Sequence, residues 1–158
     1  MSATDGSDVR EANKALARYW FDQGWNRGNV AAADRVFAPG LILGGERVGP
    51  EGPRRSVLRR HAAFSGLRVE VELQIAEGPW VASWYTVRAT QVGEYAGVPP
   101  TGLPVTSEGI QLWRVERGLV VEDHNVFDLW RVVTQLRAGE RRDTDPSGER
   151  ESVRDRRG

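Results

Sequence analysis

The chain has 158 residues, 39% hydrophobic and 28% charged, with 22 basic and 22 acidic side chains. That is one ordinary domain with enough apolar mass for a single core, and a net formal charge of zero gives no global field to attract nucleic acid or an anionic membrane. Cys is absent, which excludes disulfides, thiolate nucleophiles and Cys-based metal sites, and Lys14 is the only lysine, which leaves almost no candidate for Schiff-base chemistry.

Residues 1–7 are small and polar and are expected to fray. Val9, Ala12, Leu16, Tyr19 and Trp20 then recur at helical spacing behind Asp8 as an N-cap, in a helix expected to end near Gly24. Asn29 is placed to cap a short second helix, VAAADRVF. After a turn rich in Gly and Pro, Pro53 stands near the first turn of a third helix, RRSVLRRHAAF, whose arginines read as a solvated face. The pattern then changes period. RVEVELQI (68–75) alternates strictly, with Val69, Val71, Leu73 and Ile75 on one face and Glu70, Glu72 and Gln74 on the other, as in a half-buried strand. PWVASWYTVRATQ (79–91), VTSEGIQLWRV (105–115) and LVVEDHNVFDL (119–129) follow as further strands. Gly78 and Gly118 mark turns, and GVPPTGLP separates the second strand from the third. Residues 139–158 contain one large aliphatic, Val153, among balanced charges. They are expected to form a disordered tail, so the folded domain spans 8–138. No apolar run approaches the length of a membrane span and no signal-peptide core is apparent, which makes the cytoplasm the expected location.

Helices first and a run of antiparallel strands after them imply an α+β fold, with the helices packed on one face of a curved sheet. A cone of that kind leaves a pocket at its wide end. Some of the six tryptophans are then available to line a cavity for an aromatic ligand, the rest to fill the core. His61 and His124 lie far apart in the chain, and with no Cys they suggest no metal set. No Gly-Lys-Ser/Thr loop and no GxGxxG motif follows a strand, so no nucleotide cofactor is implied. Basic stripes interleaved with aromatics are missing too, which argues against nucleic acid as a partner.

The order of elements and four strings, WNRGNVAAADRVFAP (25–39), GPEG (49–52), VASWYTVRATQVGEYAGVPPTG (81–102) and RVERGLVVEDHNVFDLWRVVTQL (114–136), resemble those of a SnoaL-like polyketide cyclase. This family belongs to the nuclear transport factor 2-like (cystatin-like) superfamily, and the resemblance covers roughly 10–137. It implies N-terminal helices packed on a curved, mainly antiparallel sheet that encloses a pocket. It also implies a cofactor-independent cyclase or isomerase acting on a polyketide-like small molecule, and a homodimer formed through sheet contacts. The family's Glu-His-Trp-Asp on the last strand falls on Glu122, Asp123, His124 and Asn125. The family's pocket-facing His and its acid/base Asp thus correspond to Asp123 and Asn125, so a carboxylate is kept but displaced by two residues. The family's His before Val-Gly-Glu is Gln91 here, its polar pair after the second helix falls near Gly40 and Leu43, and Trp84 stands where the family often has Arg.

These correspondences make Asp123 the expected acid/base, with Asn125 and either Gln91 or Gln111 as polar orienters. Asp128 matches a position commonly acidic in the family, and is open as a second acid or a structural hydrogen-bonder. Trp84, Tyr85, Tyr95 and Trp113 are the expected walls. Trp25 and Asn26 match a Trp-Asn pair after the first helix and suit capping or pocket lining. Glu108 is the rival acid if the strand faces are reversed, whereas Glu72, Glu122 and His124 read as surface or structural. A different enzyme reading, epoxide hydrolase or hydroxylase, would draw on Arg88 or Arg114 for an Asp–Arg–Asp arrangement. The remaining possibility is a non-catalytic binding or assembly module.

Overall fold

The computed structural model describes residues 3–143. Helix α1 (Ala3–Trp20) runs into a π-helical turn, Phe21–Asn26, and a short 3-10 turn, Val30–Ala32, leads into α2 (Ala33–Val36). Strands β1 (Phe37–Leu43) and β2 (Glu46–Arg47) precede α3 (Glu51–Ala63). Four longer strands follow, β3 (Phe64–Glu77), β4 (Trp80–Gln91), β5 (Pro104–Glu116) and β6 (Leu119–Phe127), and the described chain closes with α4 (Leu129–Asp143). The sheet has six strands in the order β2-β1-β6-β5-β4-β3. All neighbours are antiparallel except β1 and β6, which are parallel.

Several elements differ from the sequence reading. Helix α1 already includes residues from Ala3 on, so Asp8 lies inside it rather than at its cap. One glycine there costs only about 1 kcal/mol of helix propensity, too little to stop the helix from starting before it. Asn29 occupies the cap position before the 3-10 turn, but its side chain makes no cap bond and donates to Gln23 Oε1 instead. The helix expected through Phe37 ends at Val36, because Pro39 disfavours helical backbone before it and FAPGLIL pairs with β6 as β1. WRVVTQL, given no element from its sequence, belongs to α4, which continues through the start of the expected tail. Residues 144–158 of that tail, and residues 1–2, lie outside the described residues.

Two bulges decide which side chains face inward. In β3, Val71 pairs with Tyr85 but Leu73 pairs with Trp84, so Glu72 is an extra residue. Past it the alternation inverts. Leu73 and Ile75 become exposed, and Gln74 turns inward, where its amide donates to Ser83 Oγ and to the Lys14 carbonyl. In β6, Val120 pairs with Val115 and Glu122 with Arg114, which makes Val121 the extra residue. Val120 and Asp123 are therefore buried together, although three positions apart.

The inner face of the sheet carries two apolar clusters. One joins the sheet to α1, the π-helical turn and α2, around Trp20, Phe37 and Trp113. Phe37 meets Trp20 edge-on at 4.9 Å and Trp113 at 5.4 Å between ring centroids. The other packs α4 against the β4 and β5 ends, with Phe64, Val98, Val132 and Leu136 buried. Phe127 touches both clusters. Between the two lies an opening that neither fills.

Candidate active site

A cavity of about 330 Å³ occupies this seam. Trp20, Phe21 and Val69 come to it from the first cluster, and Phe64, Val105 and Val132 from the second. Its size and mostly apolar lining suit a small organic ligand. Helix α3 forms part of one wall with Pro53, Ser56 and Arg60, residues that share a helical face by their spacing. The sheet opposite contributes Tyr85, Ser107, Gln111, Asp123 and Asn125.

Two linked polar pairs sit on that sheet wall. Gln111 donates its amide to Asp123 Oδ2 at 3.0 Å, and both residues are buried. Asp123 Oδ1 and Gln111 Oε1 have no hydrogen-bond partner among the described residues. Asp123 is only 3% exposed, and burial pushes its pKa from the usual 3.8 to about 6, because a desolvated carboxylate resists ionisation. The nearby Trp113 indole, then the Gln111 amide and His124, favour the charge and offset burial only in part. The Trp113 N–H itself lies outside hydrogen-bond geometry. In the second pair, Tyr85 donates its hydroxyl to Asn125 Oδ1 at 2.9 Å. Burial raises the Tyr85 pKa, opposed first by the bond to Asn125, so the phenol remains a neutral donor. That bond takes up the amide oxygen of Asn125 and leaves its NH2 free of any other partner among the described residues.

Room for Tyr85 comes from Gly109, directly opposite it on β5. A Cβ on Gly109 would come within 2.6 Å of Tyr85 Cζ, so a side chain there would push the phenol away.

The structure sorts the sequence candidates by face. Asp123, Asn125, Gln111, Tyr85, Tyr95 and Trp25 all line the cavity. Trp84 does not. It stands on the outer face, 42% exposed, with its indole N–H donating to Glu108 Oε2, and Glu108 is outside as well. Inner-face alternation on β4 runs through Val81, Ser83, Tyr85, Val87, Ala89 and Gln91, which excludes Trp84 and also Arg88. Trp113 faces inward but is fully buried against Phe37, away from the cavity lining. Gln91 is buried too, and its amide is spent on the loop before β5: Nε2 donates to the Val98 carbonyl, while Oε1 accepts from the Thr101 N–H and hydroxyl. It therefore holds Tyr95's loop in place and does not line the cavity. Asp128 is the cap of α4, with Oδ1 accepting from the Arg131 N–H at 2.9 Å. Arg114 pairs with Glu122 on the outer face, so neither it nor Arg88 completes an Asp–Arg–Asp set in the cavity. Asn26 pins β3 instead of lining the cavity, giving and accepting bonds with the Val69 backbone. Among the described residues no group of three or more His, Cys, Asp or Glu could hold a metal ion, and no helix is long and apolar enough to cross a membrane.

Arg60 and Ser56 escape the sequence reading. RRSVLRR reads as a solvated helix, yet Pro53 and Val57 are buried, and Arg60 follows Val57 by one helical turn. That spacing is the signal that could have found them.

The family model for SnoaL-like polyketide cyclase matches residues 15–136. The chain belongs to this family. A sequence search against curated proteins finds no match. Among solved structures, the fold resembles that of AclR from Streptomyces galilaeus, described as a hydroxylase candidate. That likeness has 27% identity and a TM-score of 0.72 and covers 82% of this chain and 98% of AclR. A SnoaL-like polyketide cyclase candidate from Jannaschia sp. CCS1 is 26% identical with a TM-score of 0.73, over 82% of this chain and 94% of that one. TsrD from Streptomyces laurentii, 24% identical, shares the fold with a TM-score of 0.75 over 80% of this chain and 96% of its own.

Proposed function

We propose that this member of the SnoaL-like polyketide cyclase family is a cofactor-independent cyclase or isomerase that closes a ring in a polyketide-like substrate. The observation that carries this reading is Asp123, the sole carboxylate among the described cavity-lining residues, buried and held near pKa 6. A carboxylate poised close to neutrality can both take and return a proton. Asp123 removes a proton from the attacking group, a hydroxyl for an oxygen heterocycle or a carbon acid for an aldol closure. The free NH2 of Asn125, its orientation fixed by Tyr85, donates to the carbonyl oxygen as negative charge develops there. The proton then returns to the enolate carbon or alkoxide. Atoms and electrons balance with no external redox partner, and the product of ring closure is an isomer of the substrate.

The test is metabolite mass spectrometry on a host deleted for this gene, complemented with the wild type or with Asp123→Asn. Accumulation of a compound with the mass of the normal product, cleared by the wild type but not by Asp123→Asn, is the expected result. A compound lighter by one oxygen would support hydroxylation, the reading that the likeness to AclR favours. One lighter by one water would support epoxide hydrolysis. No change in any metabolite would leave a binding module.

A homodimer belongs to the same proposal. Leu73, Trp84, Ile110 and Val126 lie in register across four strands on the outer face, all exposed, with Val126 at 76%. An apolar row of this extent calls for a cover, and a second copy of the face, as the family resemblance implies, supplies one. Sedimentation of the Ile110→Glu, Val126→Glu double variant should give a monomer where the wild type gives a dimer.

A further inference from the structure

We infer that the substrate is a carboxylic acid, whose carboxylate is received by Arg60 and Ser56 on the α3 wall while its reacting end meets Asp123. This takes the cavity to be the substrate site, as proposed above, and adds a chemical class to it. Arg60 is the only cation among the described residues lining the cavity. Its guanidinium carbon lies 5.2 Å from the ring centroid of Tyr95 and 5.6 Å from that of Phe127, both of which line the cavity too. Those rings hold the group over an apolar space without neutralising it. Arg54, on the same helix, pairs with Asp34 and Glu51, whereas Arg60 has neither a carboxylate partner nor a hydrogen bond among the described residues. Ser56, one helical turn earlier, also lines the cavity, and its hydroxyl likewise has no partner among the described residues.

The opposite wall differs in kind. It offers two unpartnered acceptor oxygens, Asp123 Oδ1 and Gln111 Oε1, which ask for a donor such as a hydroxyl. Arg60, Tyr85 and Asp123 all line this one cavity, so the cation and the acid address the same space. An apolar body with a hydroxyl at one end and a carboxylate at the other matches both. The planar fork of an arginine fits the two oxygens of a carboxylate, and a neutral ester or amide cannot replace that charge-assisted pairing.

Calorimetric titration with 2-naphthoate and with the neutral isostere 2-naphthamide tests this without knowledge of the true substrate. The wild type should bind the acid roughly tenfold more tightly than the amide, the gain expected of one charge-assisted pair. Arg60→Gln should abolish that preference while leaving amide binding nearly unchanged, which also shows that the variant is folded. Arg60→Lys should keep part of the preference, and Arg59→Gln, exposed on the same helix, all of it. Equal binding of the two probes by the wild type, no saturable binding of either, or a preference that survives Arg60→Gln would overturn the inference. Failure of the cyclase reading looks different. The carboxylate preference would persist, but Asp123→Asn would leave the host's metabolites unchanged.

Discussion

Glu122 and Asp123 are adjacent carboxylates on one strand, and the sheet sends them to opposite fates. Glu122 points outward, where it bonds to His124 Nε2 at 2.7 Å and Arg114 Nε at 3.0 Å. His124 and then Arg114 hold its pKa below the usual value. Asp123 points inward, makes no ion pair among the described residues, and burial drives its pKa the other way. The difference lies not in residue type but in the solvent each face removes. A half-buried acid in contact with Arg114 and solvent stays a fixed charge, while a buried acid with a single amide donor is pushed toward neutrality.

The largest test of that contrast is catalytic. Asp123→Asn should lower product formation by about 10²–10⁴-fold, the usual scale for loss of a general acid/base, whereas Glu122→Gln should leave it within about twofold, as read by product titre in the complemented host. The second test is thermodynamic. The folded chain keeps its proton on Asp123 up to pH about 6, while the unfolded chain loses it near 3.8. Between those values the folded state binds more protons, so stability from this group falls as pH rises through the window and is level above it. The total is about 3 kcal/mol, from the size of the shift. Chemical denaturation from pH 4 to pH 8 should therefore show Asp123→Asn gaining on the wild type by about that amount. A constant difference across the range would refute the buried-acid assignment.

Smaller effects sharpen the same comparison. Gln91→Leu leaves the Val98 carbonyl and the Thr101 donors without their buried partner, and should cost about 1–3 kcal/mol in denaturant melts. By freeing Tyr95's loop it should also weaken binding to the cavity. If Gln91 were catalytic, activity would fall with binding and stability unchanged. The smallest effect is expected outside. Glu122→Gln breaks up a solvent-screened charge cluster and should leave the denaturation midpoint nearly unchanged, with any residual difference shrinking further in high salt.

Much of this contrast is legible in the residues of the last strand. The shared face of Asp123 and Asn125 follows from strand alternation, as does the opposite placement of Glu122 and His124. Four of the six strands and the N-terminal helices can be read from periodicity. The family correspondence misplaces Trp84, which alternation sets on the face opposite Tyr85, and alternation leaves Glu108 open because it defines two faces without saying which is covered. Gln91 and Asp128 have the right chemistry for catalysis, yet both are consumed by backbone groups that only the folded loops bring to them.

Residue type and short-range spacing were enough to set N-terminal helices ahead of the four long strands and an acid beside an amide on the last of them, and four strings carried the family resemblance. Packing in three dimensions was needed to put Asp123 in a cavity and Arg60 across the gap from it. It was also needed to turn Leu73 and Ile75 outward past Glu72. Burial is a property of what packs against a face, and a bulge costs only one unpaired residue, so neither leaves a reliable local signature.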